Sequence, residues 1–157
     1  MQNTSFDLIV IGAGPGGYVG AIRAAQLGMN VACIERRATL GGTCLNVGCI
    51  PSKALLNASE HFANAASGSL RNMGVSVGKV RLDLDQMMQS KSDIVSALTG
   101  GIDFLFKKNK ITRLEGSASI IAPGKIKIAT GKDKGDYQAE KIMIATGSHP
   151  SSLPGIT

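Results

Sequence analysis

The feature that most constrains this 157-residue chain is a glycine-rich turn near its amino terminus. Residues 6–11 (FDLIVI) are a short apolar run rich in β-branched side chains, and they lead directly into GAGPGG at positions 12–17. Residues 18–27 then have a helical composition, and residues 30–35 (NVACIE) predict a second strand that ends on Glu35. The order strand, tight turn, helix and strand is typical of units that bind the pyrophosphate of a dinucleotide. The sequence therefore predicts a dinucleotide site.

The residues of this turn have separate expected roles. Gly12 permits the tight turn, Gly14 lets a pyrophosphate approach the backbone, and Gly17 allows the helix to pack closely on the strand. Glu35 follows Gly17 by 18 residues, which is where a carboxylate can accept hydrogen bonds from an adenosine ribose. The acidic residue and both strands make this prediction stronger than the glycines alone would allow.

A second pattern follows at residues 41–53 (GGTCLNVGCIPSK), where four residues separate Cys44 from Cys49. In a regular α-helix, residues five apart rise by roughly 7.5 Å, whereas a disulfide needs Cα atoms within about 7 Å. A bridge therefore requires a distorted helix entry, for which Gly48 supplies backbone freedom and Pro51 removes an amide donor. Because residues 52–62 predict a helix, both sulfurs should lie near its amino terminus. There the helix dipole and Lys53 should lower a thiol pKa.

Three other interpretations of the two cysteines stay open on the residues alone. A zinc site would need Cys33, His61 or His149 as further ligands at spacings that match no common motif, and Cys33 is better explained as a buried strand residue. A structural disulfide across so short a loop would stabilise little, and no secretory signal is present. Two unrelated buried thiols are the third interpretation. The nearby nucleotide turn favours a redox pair over all three.

The rest of the chain is predicted to form helices and strands that support the fold. Apolar residues recur at helical spacing from Asp83, a favourable N-cap, to Lys110, which indicates one long amphipathic helix with its methionines in the core. Gly100 and Gly101 interrupt this helix at a cost of about 1 kcal/mol each, which suggests close backbone contact there. Short strands at residues 111–115, 117–121 and 125–129 should form a small antiparallel element, and residues 141–145 should rejoin the parallel sheet.

Composition argues against two classes of partner. The net charge is +6, but the basic residues are scattered and aromatic residues make up only 4%, which leaves few platforms for stacking nucleic-acid bases. No apolar stretch is long enough to span a bilayer, and the amino terminus has no signal or transit character. We therefore expect a cytoplasmic protein without nucleic-acid or membrane partners, or a mitochondrial matrix protein if a presequence has been removed.

The segments VIGAGPGGY and GGTCLNVGCIPSKALL resemble the amino-terminal FAD segment of the dihydrolipoamide dehydrogenases, a branch of the flavoprotein disulfide reductases. Glutathione and mercuric reductases share the GGTC, the cysteine spacing and the proline, but CLNVGCIPSKALL is closer to the dihydrolipoamide dehydrogenases. The resemblance extends from Phe6 to Ile156 and includes LTGGI at 98–102 and ATGS at 145–148. It implies an α/β fold, a Rossmann-like FAD-binding domain with a parallel sheet, helices and a small antiparallel β element.

The resemblance also implies the chemistry. Cys44 would be the outer thiol, which exchanges with a dihydrolipoyl group through a mixed disulfide, and Cys49 would face the flavin and pass electrons to it. NAD would accept the hydride at a site outside this segment. The implied cofactor-binding residues are Gly12, Gly14, Pro15, Gly16, Gly17, Glu35, Arg36, Gly42, Thr43, Lys53, Gly116, Ala145, Thr146 and Gly147, and no metal is implied.

Enzymes of this family are much longer, so residues 1–157 would form the amino-terminal part of an FAD-binding domain, without the NAD-binding and dimerisation domains. The full-length protein would be a homodimer that oxidises protein-bound dihydrolipoamide with NAD in 2-oxoacid dehydrogenase or glycine cleavage complexes. Its partners would be a dihydrolipoyl-bearing acyltransferase or the glycine cleavage carrier protein. Neither His61 nor His149 matches the family's catalytic base. The alternatives are an inactive FAD- or nucleotide-binding module and a glutathione- or mercuric-type reductase.

Overall fold

The computed structural model describes residues 4–149 together with residues 151, 153 and 155. The end of the family resemblance, at Ile156, lies outside the described residues. The chain divides into two compact units, the first formed by Met1–Gly42 with Ile102–Thr157 and the second by Thr43–Gly101. The predicted dinucleotide turn belongs to the first unit, and the two cysteines of GGTCLNVGC belong to the second.

The first unit holds all the strands found in the described part of the chain. They are β1 (Ser5–Ile11), β2 (Val31–Glu35), β3 (Thr112–Glu115), β4 (Ser117–Ala122), β5 (Lys125–Thr130) and β6 (Gly135–Ile144), and helix α1 (Pro15–Gln26) connects the first two. The second unit is helical. It contains α2 (Gly42–Asn46), α3 (Cys49–Ser67), a 3-10 turn (Ser69–Met73) and most of α4 (Leu84–Lys108).

The six strands form one sheet in the order β3-β2-β1-β6-β5-β4. β1 pairs in parallel with β2 and β6, and β2 pairs in parallel with β3. β5 is antiparallel to both β4 and β6. The predicted α/β fold, with a parallel sheet and an antiparallel part, is therefore confirmed.

The placement of residues 111–115 in the antiparallel element is wrong. β3 lies at the opposite edge of the sheet, parallel to β2, with Glu115 facing Glu35 in the register. The chain reaches β3 from α4, and a strand that follows a helical connection of this kind returns parallel to its neighbour. β6 also starts earlier than predicted, at Gly135, because Tyr137 and Ala139 alternate inward and extend the strand.

The core of the first unit is built on the sheet. All five residues of β2 are buried, as in a strand that is covered on both faces. The prediction that Cys33 is a core side chain is confirmed, since it is 0% exposed. Burial, with the charge of Glu35 as a second cause, raises the pKa of the Cys33 thiol to about 12. The other fully buried side chains include Ile9, Val10, Ile34, Leu114, Ile126 and Ile128.

The predicted start of α4 is confirmed, but the predicted burial of its apolar side is wrong. Asp83 caps it, since the Oδ1 of Asp83 accepts a hydrogen bond from the Gln86 N–H at 3.0 Å. Within the predicted apolar stripe only Ile102 and Phe106 are buried, and Met88 is 42% exposed. The spacing of apolar residues shows which of them share a face, but it does not show what covers that face. Among the residues that the structure describes, no helix is both long and apolar enough to cross a membrane.

The expected close contact at the two glycines of α4 is also wrong. A Cβ atom built at Gly100 or at Gly101 meets nothing within 4 Å. Neither position has a positive φ that would require glycine. Nothing in the described part of this chain explains these two glycines.

Candidate functional site

The predicted dinucleotide residues of the first unit lie together at the carboxyl ends of the parallel strands. The parallel strands β1, β2, β3 and β6 end side by side there, and each end carries a predicted residue: Gly12, Glu35, Gly116 and Ala145. Backbone hydrogen bonds continue the ladder one step past the strands, from Gly12 N–H to Ile34 O (2.8 Å), Gly116 N–H to Glu35 O (2.9 Å) and Ala145 N–H to Ile11 O (2.8 Å). The chain order reverses between β1 and β6, and ligands of open α/β sheets bind at such a point.

The glycine-rich turn is closed by backbone on one side and open on the other. Gly12 has φ +100°, and a Cβ atom there would lie 2.4 Å from the carbonyl oxygen of Ala145. A Cβ atom on Gly17 would lie 1.8 Å from the carbonyl oxygen of Gly12, so α1 packs on the turn without room for a methyl group. At Gly16 nothing lies within 4 Å. α1 starts at Pro15 with no acidic residue in its first turn, which leaves the positive end of its dipole for an anion.

The segment after β2 folds back on this turn. The N–H of Gly41 donates to the carbonyl oxygen of Ala13 at 2.8 Å. Gly42 has φ +59°, and a Cβ atom there would lie 2.6 Å from the Cα of Gly14. Two of the predicted residues, Gly14 and Gly42, are therefore in close contact.

Glu35 is fixed by backbone amides. It is only 7% exposed, and its Oε2 accepts a hydrogen bond from the Ala13 N–H at 2.9 Å. Its Oε1 accepts a hydrogen bond from the Arg37 N–H at 3.0 Å. Carboxylate oxygens accept more than one hydrogen bond each. Glu35 therefore holds the turn in place and keeps acceptor capacity for a ribose, whereas the sequence indicated only the second of these roles.

The remaining predicted residues of the first unit differ in how the structure explains them. A Cβ atom on Gly116 would lie 2.1 Å from the carbonyl oxygen of Thr130, so packing against β5 explains this glycine without a ligand. A Cβ atom on Gly12 would also lie 3.0 Å from the Cα of Thr146. Gly147 has φ +76°. The ATG segment at 145–147 therefore follows β6 with its first two residues against Gly12.

The second unit breaks its helix between the two cysteines, as the geometry of a disulfide requires. α2 ends at Asn46 and α3 begins at Cys49. The carbonyl oxygen of Thr43 accepts hydrogen bonds from the N–H groups of Val47 (3.0 Å) and Gly48 (2.8 Å). Cys44 and Cys49 are free thiols, Cys44 half-buried and Cys49 exposed, and their side chains are hydrogen-bonded to each other. The two side chains therefore lie close enough to interact.

The predicted lowering of the thiol pKa is wrong for Cys44. The hydrogen bond with Cys49 raises the pKa of Cys44 most, desolvation and the charge of Cys49 raise it further, and Lys53 lowers it. Two thiols in one site oppose each other's ionisation, and this effect exceeds that of Lys53. Lys53 lies one turn after Cys49 on α3, so the predicted positive charge is in place. The resemblance makes Cys44 the outer thiol, whereas Cys49 is the more exposed thiol in this chain.

Arg37 is a residue that the sequence did not single out. Its Nη1 is buried and has no hydrogen-bond partner among the residues that the structure describes. Its neighbour Arg36, which the resemblance did indicate, is exposed. The only feature of the sequence that could have indicated Arg37 is that two basic residues follow Glu35. Within the described part of the chain, no three His, Cys, Asp or Glu side chains are grouped as metal ligands would be.

A dinucleotide turn at the switch point of the sheet and a hydrogen-bonded thiol pair at a broken helix entry are the features of a flavoprotein disulfide oxidoreductase. The chain belongs to the pyridine nucleotide-disulphide oxidoreductase family, whose sequence profile matches residues 6–157. The family resemblance found in the sequence is thereby confirmed.

Within this family the chain is similar to dihydrolipoyl dehydrogenases. It is 54% identical over 154 residues to dihydrolipoyl dehydrogenase 3 of Pseudomonas aeruginosa, across 97% of this chain and 32% of that protein. It is 51% identical over 159 residues to the mitochondrial dihydrolipoyl dehydrogenase of Sus scrofa, across 99% of this chain and 31% of that protein. The solved structure of the HOCl-induced flavoprotein disulfide reductase RclA from Escherichia coli superposes with a TM-score of 0.75 at 26% identity, over 94% of this chain and 29% of that one. The chain spans about a third of the length of these relatives.

Proposed function

We propose that this chain is the FAD-binding part of a dihydrolipoyl dehydrogenase, in which Cys44 and Cys49 oxidise protein-bound dihydrolipoamide and NAD is the final acceptor. The observation that carries the proposal is the hydrogen-bonded thiol pair at the broken entry of α3. The names of the relatives, at about half identity, favour a dihydrolipoyl substrate over glutathione or mercury.

The residues of the first unit fit FAD. A Cβ atom on Gly12 or on Gly42 would clash with backbone, the Gly16 side of the turn is open, and Glu35 keeps acceptor capacity. These features suit a pyrophosphate at the start of α1 and a ribose at the end of β2. The proposed contacts for the pyrophosphate are the backbone of residues 12–17 and Gly42. The proposed contacts for the ribose are Glu35 and Arg36, that for the adenine is Gly116, and those for the flavin half are Ala145, Thr146 and Gly147.

In the second unit the proposed cofactor contacts are Thr43 and Lys53. When bound, FAD supplies a two-electron acceptor between the thiols and NAD. The NAD-binding and dimerisation domains of the proposed homodimer would lie outside the 157 residues, which agrees with the third of each relative that this chain covers.

The thiol pair performs the exchange in two balanced steps. A dihydrolipoyl thiolate attacks the Cys44 sulfur of the oxidised pair, which forms a mixed disulfide and releases Cys49 as a thiolate. The second dihydrolipoyl sulfur then displaces Cys44, so that oxidised lipoyl leaves and both cysteines are reduced. The charge of Lys53 favours the thiolate of Cys44 when it is displaced.

The proposed partner is a dihydrolipoyl-bearing acyltransferase or the glycine cleavage carrier protein, since both present the substrate of the relatives' named activity. The proposed compartment is the bacterial cytoplasm or the mitochondrial matrix, because the similar proteins include a bacterial and a mitochondrial one.

The order of attack is tested by trapping. In Cys49→Ser, Cys44 is left to open the ring of added lipoamide, and iodoacetamide alkylates the lipoyl thiol that this step releases. We expect mass spectrometry to find the trapped adduct on Cys44 of Cys49→Ser and much less adduct on Cys49 of the matched variant Cys44→Ser. The opposite distribution would make Cys49 the outer thiol. Equal reduction of the wild-type disulfide by glutathione and by dihydrolipoamide would contradict the proposed substrate.

A further inference from the structure

Arg113 of β3 joins two other parts of the first unit through its guanidinium. Its Nη1 donates a hydrogen bond to the Oδ1 of Asp103 on α4 at 2.8 Å, and its Nη2 donates to the carbonyl oxygen of Ala38. A guanidinium carries its donors in a rigid planar fork, so one side chain holds both acceptors in a fixed geometry. Arg113 thereby ties the segment after β2 to β3 and α4.

The segment held in this way is the β2 loop, residues 36–41, which has no helix or strand of its own. Its last residue, Gly41, donates its N–H to the carbonyl oxygen of Ala13 in the dinucleotide turn at 2.8 Å. The next residue, Gly42, packs so closely on the turn that a Cβ atom there would lie 2.6 Å from the Cα of Gly14. The course of the β2 loop therefore determines how closely Gly42 approaches the turn.

Arg113 holds the exposed part of the β2 loop. Leu40, near the end of the loop, is 0% exposed, whereas Ala38 and Thr39 are exposed. Ala38 offers only backbone groups for hydrogen bonding, because its side chain is a methyl group. The hydrogen bond from Arg113 to the carbonyl oxygen of Ala38 thus fixes the loop at a position that burial does not fix.

The bridge made by Arg113 is better suited to ordering a loop than to stabilising the whole fold. The side chains of Arg113 and Asp103 are 28% and 34% exposed. Ion pairs with this much contact to water contribute little to the free energy of unfolding, because water screens them and the side chains lose freedom. A loop that is already held in its bound conformation loses less freedom when a ligand arrives, and the ligand binds more tightly for that reason.

We propose that Arg113 is a positioning residue, which holds the β2 loop against the dinucleotide turn and thereby raises the affinity of the chain for its dinucleotide. It acts through the carbonyl group of Ala38 and not through a contact of its own with the ligand. The proposal rests on the proposed function in taking the dinucleotide to be FAD.

Amide hydrogen exchange, followed by NMR on the unliganded full chain, tests the effect on the loop. In Arg113→Met the N–H of Gly41 should exchange at least about 10-fold faster than in the wild type, because the β2 loop opens more easily. The N–H groups of Gly12 and Ala145, which extend the strand ladder, should keep their rates. Equal acceleration of all three amides would make Arg113 a merely structural residue and overturn the proposal.

A flavin fluorescence titration of the same chain with FAD tests the effect on affinity. Arg113→Met and Arg113→Lys should both raise the dissociation constant of FAD by about 3- to 10-fold, the size expected of residues that act on a site through other residues. Asp103→Asn keeps an oxygen that accepts from the fork and should change the constant by less than about twofold. Arg23→Met, which replaces an exposed arginine of α1, is the matched control and should bind like the wild type.

Arg113→Lys separates positioning from charge and from support of the fold. This variant keeps a positive charge beside Asp103 but has no fork to reach both acceptors. Its melting temperature without FAD should therefore equal that of the wild type, while its binding of FAD is weakened and the exchange at Gly41 is faster. A lower melting temperature with unchanged FAD binding would identify Arg113 as a structural residue. Binding of FAD as tight as in the wild type would make the charge responsible and would also overturn the proposal.

The combined outcomes separate this proposal from the proposed function. Faster exchange at Gly41 with a dissociation constant of FAD within about twofold of the wild type overturns the link from the loop to affinity. Weaker FAD binding with unchanged exchange at Gly41 overturns the action through Ala38. If the wild type does not bind FAD, the proposed cofactor fails and the role of Arg113 in its binding fails with it. FAD binding without lipoamide exchange would contradict the proposed function alone.

Discussion

Adding one methyl group at Gly17 should destabilise the first unit strongly, whereas the same change one residue earlier should stabilise it. A Cβ atom on Gly17 would lie 1.8 Å from the carbonyl oxygen of Gly12, far inside the 3.0 Å that real Cβ atoms keep. That neighbour is backbone and cannot rotate away, so α1 would have to lift off β1 and expose Ala21 and Ala24. Overpacking usually costs about 1–3 kcal/mol, and a clash with backbone belongs at or above the upper end. We therefore expect Gly17→Ala to lose about 3 kcal/mol or more.

Gly16→Ala is the matched control. It lies in the same turn of α1, has no atom within 4 Å of its Cβ position and has no positive φ. Replacing such a glycine stabilises a protein by about 0.5–1 kcal/mol, mainly because the unfolded chain loses freedom. The two variants should therefore differ by about 4 kcal/mol, although each adds the same methyl group.

Urea unfolding followed by tyrosine fluorescence measures this difference in the right unit. The chain has no tryptophan and two tyrosines, Tyr18 in α1 and Tyr137 in β6, so the signal reports the first unit. With a slope of about 2 kcal/mol per molar urea, the midpoint should fall by roughly 1.5 M in Gly17→Ala and rise by less than about 0.5 M in Gly16→Ala. Equal midpoints for the two variants would refute the packing argument for the turn.

Three further predictions concern single residues. Because the folded pKa of Cys33 is about 12 and the unfolded value is about 8.5, the stability from its neutral thiol is complete below about pH 8.5 and is lost as the pH rises towards 12. The free energy of unfolding from urea titrations should thus fall by about 2 kcal/mol by about pH 10. Cys33→Ala should remove this dependence on pH. An unchanged dependence in Cys33→Ala would rule out Cys33 as its cause. Asp83→Ala should lower the free energy of unfolding by about 1 kcal/mol, measured by far-UV circular dichroism, because the cap of α4 is lost. Asp85→Ala should lower it clearly less. Equal losses in the two variants would contradict the role of Asp83 as the cap. Lys53→Met should slow alkylation of Cys44 by about two- to fivefold near pH 8, measured by peptide mass, and a faster reaction would show that the lysine does not favour the thiolate.

Local chemistry explains why the dinucleotide turn and the thiol pair could be predicted from the sequence. The fit of Gly12 and Gly17 depends on backbone a few residues away or on a neighbouring strand end, and residue order already implies those contacts. The break between Cys44 and Cys49 follows from the reach of a disulfide and from the glycine before Cys49. The constraints on Gly17 and on the two cysteines act within a few residues of chain, so they are visible in the order of residues.

Features that depend on distant parts of the chain could not be predicted. The parallel place of β3 depends on where α4 returns the chain, and the four residues of β3 do not distinguish a parallel from an antiparallel partner. The exposed stripe around Met88 has the same periodicity as a buried one. The rise in the pKa of Cys44 depends on a hydrogen bond that the spacing alone does not fix. The buried Nη1 of Arg37 likewise required the folded segment between Glu35 and Gly41.

The proposed function depends on binding of FAD by this chain together with a redox-active thiol pair. The most direct measurement is the visible absorption spectrum of the full chain after incubation with FAD and desalting, recorded before and after one equivalent of dithiol reductant. We expect a retained flavin spectrum that gains a long-wavelength band on reduction in the wild type, and a retained flavin without that band in Cys49→Ser. A colourless protein after desalting, or the same band in Cys49→Ser, would contradict the proposed function.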